Sequence, residues 1–94
     1  MKKLRVALGA GIVAACFSGG LAFAGPTCTT EPESKWLSEE AMKQKIAEMG
    51  YKDIKVFKKT RGGCYEIYGY TAEGKKAEVY FNPITGEAVE KNLD

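Results

Sequence analysis

The side chains able to do chemistry are few, and they crowd into one stretch, "GGCYEIYGYTAEGKKAEVYF" at residues 62–81. It holds a cysteine and four of the five tyrosines, with Glu66 and Glu78 at alternating positions of two short runs. Two carboxylates that meet across strands can share a proton or bind a cation. Isolated acids alternating with lysines on a solvated sheet face give the same pattern without any chemistry. The chain has no histidine, which removes Ser-His-Asp triads, imidazole metal sites and the usual proton shuttle. Its glycines at 62, 63, 69, 74 and 86 lie at turns or inside a strand rather than before a helix, so no phosphate-cradling loop is present. The expectation is a non-enzyme with no catalytic residues, no metal and no cofactor.

Three cysteines need separate treatment. Residues 1–24 combine the basic leader "MKKLR", the apolar "VALGAGIVAACFSGGLAF" and the small-x-small site "AFA" before Gly25. This is the pattern of a bacterial export signal cleaved after Ala24. "VAAC" ending at Cys16 resembles a lipobox, which would make Cys16 an acylated first residue, but the apolar run continues well past it. An uncleaved anchor is the other alternative. Cleavage after Ala24 leaves residues 25–94, a single small domain of 70 residues, periplasmic or secreted, with no membrane span left. Losing Lys2, Lys3 and Arg5 moves the net charge from +2 to −1, so no nucleic-acid partner is indicated. Cys28 and Cys64 remain, and a cysteine pair in a small exported domain reads as a disulfide. A reactive or metal-binding pair fits less well, since the spacing is not C-x-x-C.

These residues have to be positioned by a small α+β fold. "GPTCTTEPESKW" is an aperiodic lead-in. "LSEEAMKQKIAEMG" predicts one helix, with Ser38 as N-cap, Glu39 and Glu40 in the first turn and Gly50 as the stop. Leu37 and Met42 stand at staple positions. Ala41, Met42, Ile46 and Met49 form the apolar stripe. After Gly50 the period changes to two, predicting strands over "DIKVFKKT", "CYEIYGYT", "KKAEVYFN" and a short "EAVEK". Short connections make neighbouring strands antiparallel. The expected architecture is one N-terminal helix packed on a three- to four-stranded antiparallel sheet.

Alternation sorts the two faces of that sheet. Tyr65, Ile67, Gly69, Ala77, Val79 and Phe81 face the helix, with Trp36 and the helix stripe as partners. Glu66, Tyr68, Tyr70, Glu78 and Tyr80 face the other way, where a single helix leaves nothing to cover them. Tyr68, Tyr70, Tyr80 and Glu66 are therefore the candidate binding residues, because amphipathic tyrosines are enriched at protein interfaces. Cross-strand packing of tyrosines on a pleated surface is the plainer explanation.

"GCYEIYGYTAEGKKAEVYFNPITGE" resembles the strand–turn–strand signature of the PepSY domain family, in its short exported single-domain form related to peptidase propeptides. Cys28, Pro32, Trp36 and Gly50–Tyr51 match the family's lead-in, its tryptophan before the helix and the "GY" after it. The likeness runs from Cys28 to about Val89. What carries over is structural: Gly63–Cys64–Tyr65–Glu66 in the second strand, and Asn82–Pro83 with Thr85–Gly86 in the last turn. Asn82 stands where relatives often have an aspartate, which weakens any cation role for that turn. The resemblance implies a non-catalytic protein-binding module, a modulator or inhibitor of a secreted peptidase or another envelope protein. With no peptidase domain attached, such inhibition would act in trans, through the sheet face or an edge strand. The alternative is a structural homodimer joined through its tyrosine faces.

One mass measurement checks both the cleavage and the cysteine reading. The intact mass of the exported protein is expected to match a chain starting at Gly25 and short by two hydrogens. A start at a lipidated Cys16, or two free thiols, would contradict it.

Overall fold

The computed structural model describes residues 25–94; the export signal and the Cys16 alternative lie outside them. A single turn of 3-10 helix at Glu33–Lys35 precedes helix α1, Glu39–Glu48. Four strands follow: β1 Lys52–Lys59, β2 Tyr65–Tyr70, β3 Lys76–Phe81 and β4 Ala88–Leu93. They form one antiparallel sheet in the order β1-β2-β3-β4. The fourth strand is longer than its sequence suggests, because pairing with β3 continues to Leu93.

Helix α1 starts and stops where local chemistry dictates. The Ser38 hydroxyl accepts from the Ala41 N–H at 3.1 Å, satisfying one of the free donors of the first turn. At the other end Gly50 takes a φ of 97°, a conformation that a side chain would oppose. Met42 and Ile46 are the buried residues of the helix. Met49, expected on the same stripe, is 43% exposed. It is the C-cap residue, so the chain turns away before its side chain can reach the sheet.

The core lies between α1 and the sheet, where Met42 and Ile46 meet Tyr65, Ile67, Ala77, Val79 and Phe81. This is the helix-facing set that alternation selects. Tyr65 is its hub: Phe57 stacks on it at 5.1 Å and Trp36 meets it edge-on at 5.3 Å. The Tyr65 hydroxyl donates to the Leu37 carbonyl at 2.7 Å, which removes the cost of burying it.

Both outer strands are irregular. On β1, Asp53, Ile54 and Lys55 stand opposite Gly69 alone, between the pairs Lys52–Tyr70 and Val56–Tyr68. Asp53 has a positive φ of 51° within this bulge. Gly69 makes it possible, since a methyl there would come within 2.7 Å of Ile54 Cδ1 and 3.1 Å of the Lys52 carbonyl oxygen. Ile54 thereby fills the place that a side chain on residue 69 would take. On β4, Val89 is the extra residue between the pairs Tyr80–Glu90 and Phe81–Ala88.

The face of the sheet away from the helix is only half open, contrary to the expectation that nothing would cover it. Cys28 and Cys64 are joined, with their Cα atoms 5.1 Å apart. The bond draws the lead-in across the start of β2. Cys28 N–H donates to the Gly62 carbonyl at 2.8 Å, and Asn82 Nδ2 donates to the Cys28 carbonyl at 3.4 Å. A methyl on Gly62 would strike the Pro26 carbonyl, and one on Gly63 the Thr29 carbonyl. The double glycine therefore does more than turn the chain: it clears a seat for the lead-in.

In the chain-entropy model a crosslink over 36 residues of separation contributes about 4 kcal/mol. Cys28→Ser with Cys64→Ser is expected to lower the unfolding free energy by about 2–5 kcal/mol, read by urea denaturation of both forms. A loss under about 1 kcal/mol would show that the seated lead-in holds without its bond.

Candidate functional site

The face away from the helix divides into two halves. Under the lead-in, Tyr80 is 2% and Glu66 4% exposed. Both were expected in solvent, and both are buried for the same reason. The disulfide brings the lead-in over the sheet, and Gly25 lands on the Tyr80 ring so closely that a methyl there would overlap it. The other half stays open. Tyr68 is 43% exposed, Tyr70 is half-buried, and Val56 from β1 lies beside them. Together with Lys55, Lys76 and Asn92 they border an open depression of about 530 Å³.

The sheet register explains how the carboxylates meet. Glu66 pairs directly with Tyr80, and Tyr68 with Glu78. The two glutamates are thus diagonal neighbours on one face, each flanked by a tyrosine. Glu78 is the acceptor at the centre. Its Oε2 receives the Tyr80 hydroxyl at 2.7 Å and the Tyr68 hydroxyl at 3.1 Å, while its Oε1 receives Asn92 Nδ2 at 3.4 Å. Asn92 also donates to Glu90 at 3.1 Å. Lys58 on β1 comes within 3.8 Å of Glu66.

These contacts push the two acids in opposite directions. Burial, followed by a hydrogen bond to Glu78, holds the Glu66 carboxyl above its ordinary 4.5. The same Glu66 hydrogen bond and the Tyr80 hydroxyl hold Glu78 below it. A protonated Glu66 donating to an ionised Glu78 satisfies both. Tyr80 is pushed up by burial and then by its bond to Glu78, and Tyr68 by its own bond to Glu78. The chemistry that this arrangement supports is proton sharing within a polar network shielded by the lead-in.

Asn82 Oδ1 accepts from the N–H groups of Ile84 at 2.8 Å and Thr85 at 3.3 Å, so it shapes the β3–β4 turn. Among the described residues, no cluster of three or more His, Cys, Asp or Glu is arranged to hold a metal. Nor, among them, is any helix long and apolar enough to cross a membrane.

The sequence model of the peptidase propeptide and YPEB domain, PepSY, matches residues 8–92, nearly the whole chain. The chain belongs to this PepSY family. No curated protein and no solved structure matches it. Within this PepSY domain, Tyr68 and Tyr70 stand on the open half of the sheet, whereas Tyr80 and Glu66 belong to the shielded network. Sequence reasoning missed Val56, Lys58, Asn92 and Gly25 as neighbours of these residues. Only the paired glycines before Cys64 hinted that another segment lies there.

The shared proton has a pH signature. Glu66 keeps in the folded state a proton that the unfolded chain releases, so its contribution is complete at low pH and is lost as pH rises through its folded value. Glu78 does the reverse, and its contribution is lost as pH falls through its folded value. Stability is therefore expected to peak in mild acid and to decline as pH rises from the ordinary 4.5 of a glutamate to the raised folded value of Glu66. Glu66→Gln, which replaces the protonated acid with an amide of the same shape, should flatten that decline while leaving the acid-side loss from Glu78. Urea midpoints measured across pH test this. Parallel profiles for wild type and variant would mean that no proton is shared.

Proposed function

We propose that this PepSY domain is an exported, non-catalytic binding module that engages a peptidase or another envelope protein through the open half of its sheet. The observation that carries this reading is the depression bordered by Tyr68, Tyr70 and Val56, where apolar surface remains exposed beside Lys55, Lys76 and Glu78. An aromatic anchor rimmed by charges of both signs is the usual composition of a protein-binding patch. Membership in a propeptide family supports a peptidase as the partner, with modulation or inhibition acting in trans. Tyr68 is the side chain on which affinity should depend most, and Tyr70 contributes at the rim. Glu66 and Tyr80 act indirectly, by fixing Glu78 and hence the Tyr68 hydroxyl. The homodimer alternative is less favoured, because Tyr80 is covered and the tyrosine area free for a second copy is correspondingly smaller.

The test immobilises the oxidised, mature domain and exposes it to periplasmic extract, with retained proteins identified and then purified. Tyr68→Ser and Val56→Ser are each expected to weaken the purified complex at least tenfold, about 1.4 kcal/mol. A captured peptidase should also lose turnover when wild-type domain is added. Nothing retained by a folded monomer, or a partner held equally by both variants, would overturn the reading. A dimer by sedimentation that Tyr68→Ser dissociates would establish the alternative.

A further inference from the structure

The shielded acids are short of positive charge. Glu66 and Glu78 share one network with Tyr68 and Tyr80, and Glu90 on β4 adds a third carboxylate through Asn92. Among the described residues, Lys58 is the one cation within ion-pair distance of Glu66 or Glu78, at 3.8 Å from Glu66, and its own side chain is 56% exposed.

The lead-in brings one more nitrogen to this place. Gly25 lies against the Tyr80 ring at a φ of 93°, and a methyl on it would sit 2.7 Å from the Tyr80 hydroxyl oxygen. That hydroxyl donates to Glu78 at 2.7 Å. With backbone bonds of about 1.5 Å, the Gly25 nitrogen lies no more than about 8 Å from the Glu78 carboxylate. Gly25 itself is exposed, so a charge on its nitrogen keeps part of its water while it lies beside the Tyr80 ring.

We propose that the α-ammonium group of Gly25, released by cleavage after Ala24, docks on the Glu66–Glu78 pair and supplies the cation that it lacks. The proposal rests on the export reading given above. Before cleavage the nitrogen is a neutral amide with one N–H. Hydrolysis of the Ala24–Gly25 bond adds one water, leaving a carboxylate on Ala24 and an ammonium on Gly25. Rotation about the Gly25 Cα–C bond can then re-aim that ammonium without moving Pro26, which lies two residues before the disulfide-bonded Cys28. Removal of the leader therefore does more than free the domain: it adds a positive charge close to the Glu66–Glu78 network. In the described conformation a methyl on residue 25 would overlap the Tyr80 ring.

The test uses the exported protein with its first residue established by intact mass. N-terminal acylation by an amine-reactive ester is followed at pH 7 by peptide mass mapping, since a docked ammonium resists acylation. The wild-type amine is expected to react about three- to tenfold more slowly than that of Glu66→Gln/Glu78→Gln. It should likewise react more slowly than that of a chain with one alanine inserted between Ala24 and Gly25, which moves the amine outward and leaves both acids intact. The insertion keeps the test decisive where the double variant fails to fold. Equal rates for wild type and insertion would overturn the proposal, and so would a first residue other than Gly25. Failure to capture a partner bears on the binding module alone and leaves this result standing.

Discussion

A helix laid on one face of a four-stranded sheet leaves the opposite face to water, and in a domain this small that face is a large share of the surface. The Cys28–Cys64 bond changes the arrangement at one end. By fixing the lead-in to the start of β2, it adds a third layer over Tyr80 and Glu66. The burial of a glutamate, the inequality of its carboxyl with that of Glu78, and the division of the sheet into shielded and open halves all follow from that crosslink. Without it, the close approaches at Gly62 and Gly63 would rest on hydrogen bonds such as that from the Cys28 N–H to the Gly62 carbonyl.

The shielded network works by mutual satisfaction. A buried carboxylate alone would cost several kcal/mol, yet Glu78 collects two hydroxyls and an amide, while burial and the bond to Glu78 shift Glu66 towards its protonated form. Such a network rigidifies the sheet under it and fixes the tyrosine at its border. Tyr68 belongs to both halves: its hydroxyl is tied to the network, and its ring is open to solvent. A surface aromatic held in this way loses less freedom when a partner arrives.

Most of the fold was legible in the sequence. The Ser38 cap, the Gly50 stop, the change of period after it and the helix-facing set from Tyr65 to Phe81 are local signals, and the structure follows them. What stayed hidden depends on contacts between distant segments. Alternation put Tyr80 and Glu66 on the face away from the helix, which is correct, but it says nothing about what lies over that face. The lead-in has no periodicity, so its path is set by one covalent bond and by missing side chains at Gly62 and Gly63. Met49 failed for the opposite reason: the stripe continues in sequence after the helix has ended. The bulge at Asp53–Lys55 was likewise invisible, because the residues read as an ordinary strand and only the vacancy at Gly69 lets them depart from it.

The interruptions in the two outer strands bear on self-association. An open sheet offers unpaired backbone at both edges, and a straight edge recruits further copies of itself. On β1 the ladder is regular only from Val56 to Lys59, and on β4 only from Glu90 to Leu93. A second molecule could therefore pair in register over roughly four residues before a bulge throws its side chains onto the wrong face. Lys55 on β1 and Lys91 on β4 add positive charge along the same edges. The bulges thus shorten the stretch of backbone that each edge offers to fibre-like stacking.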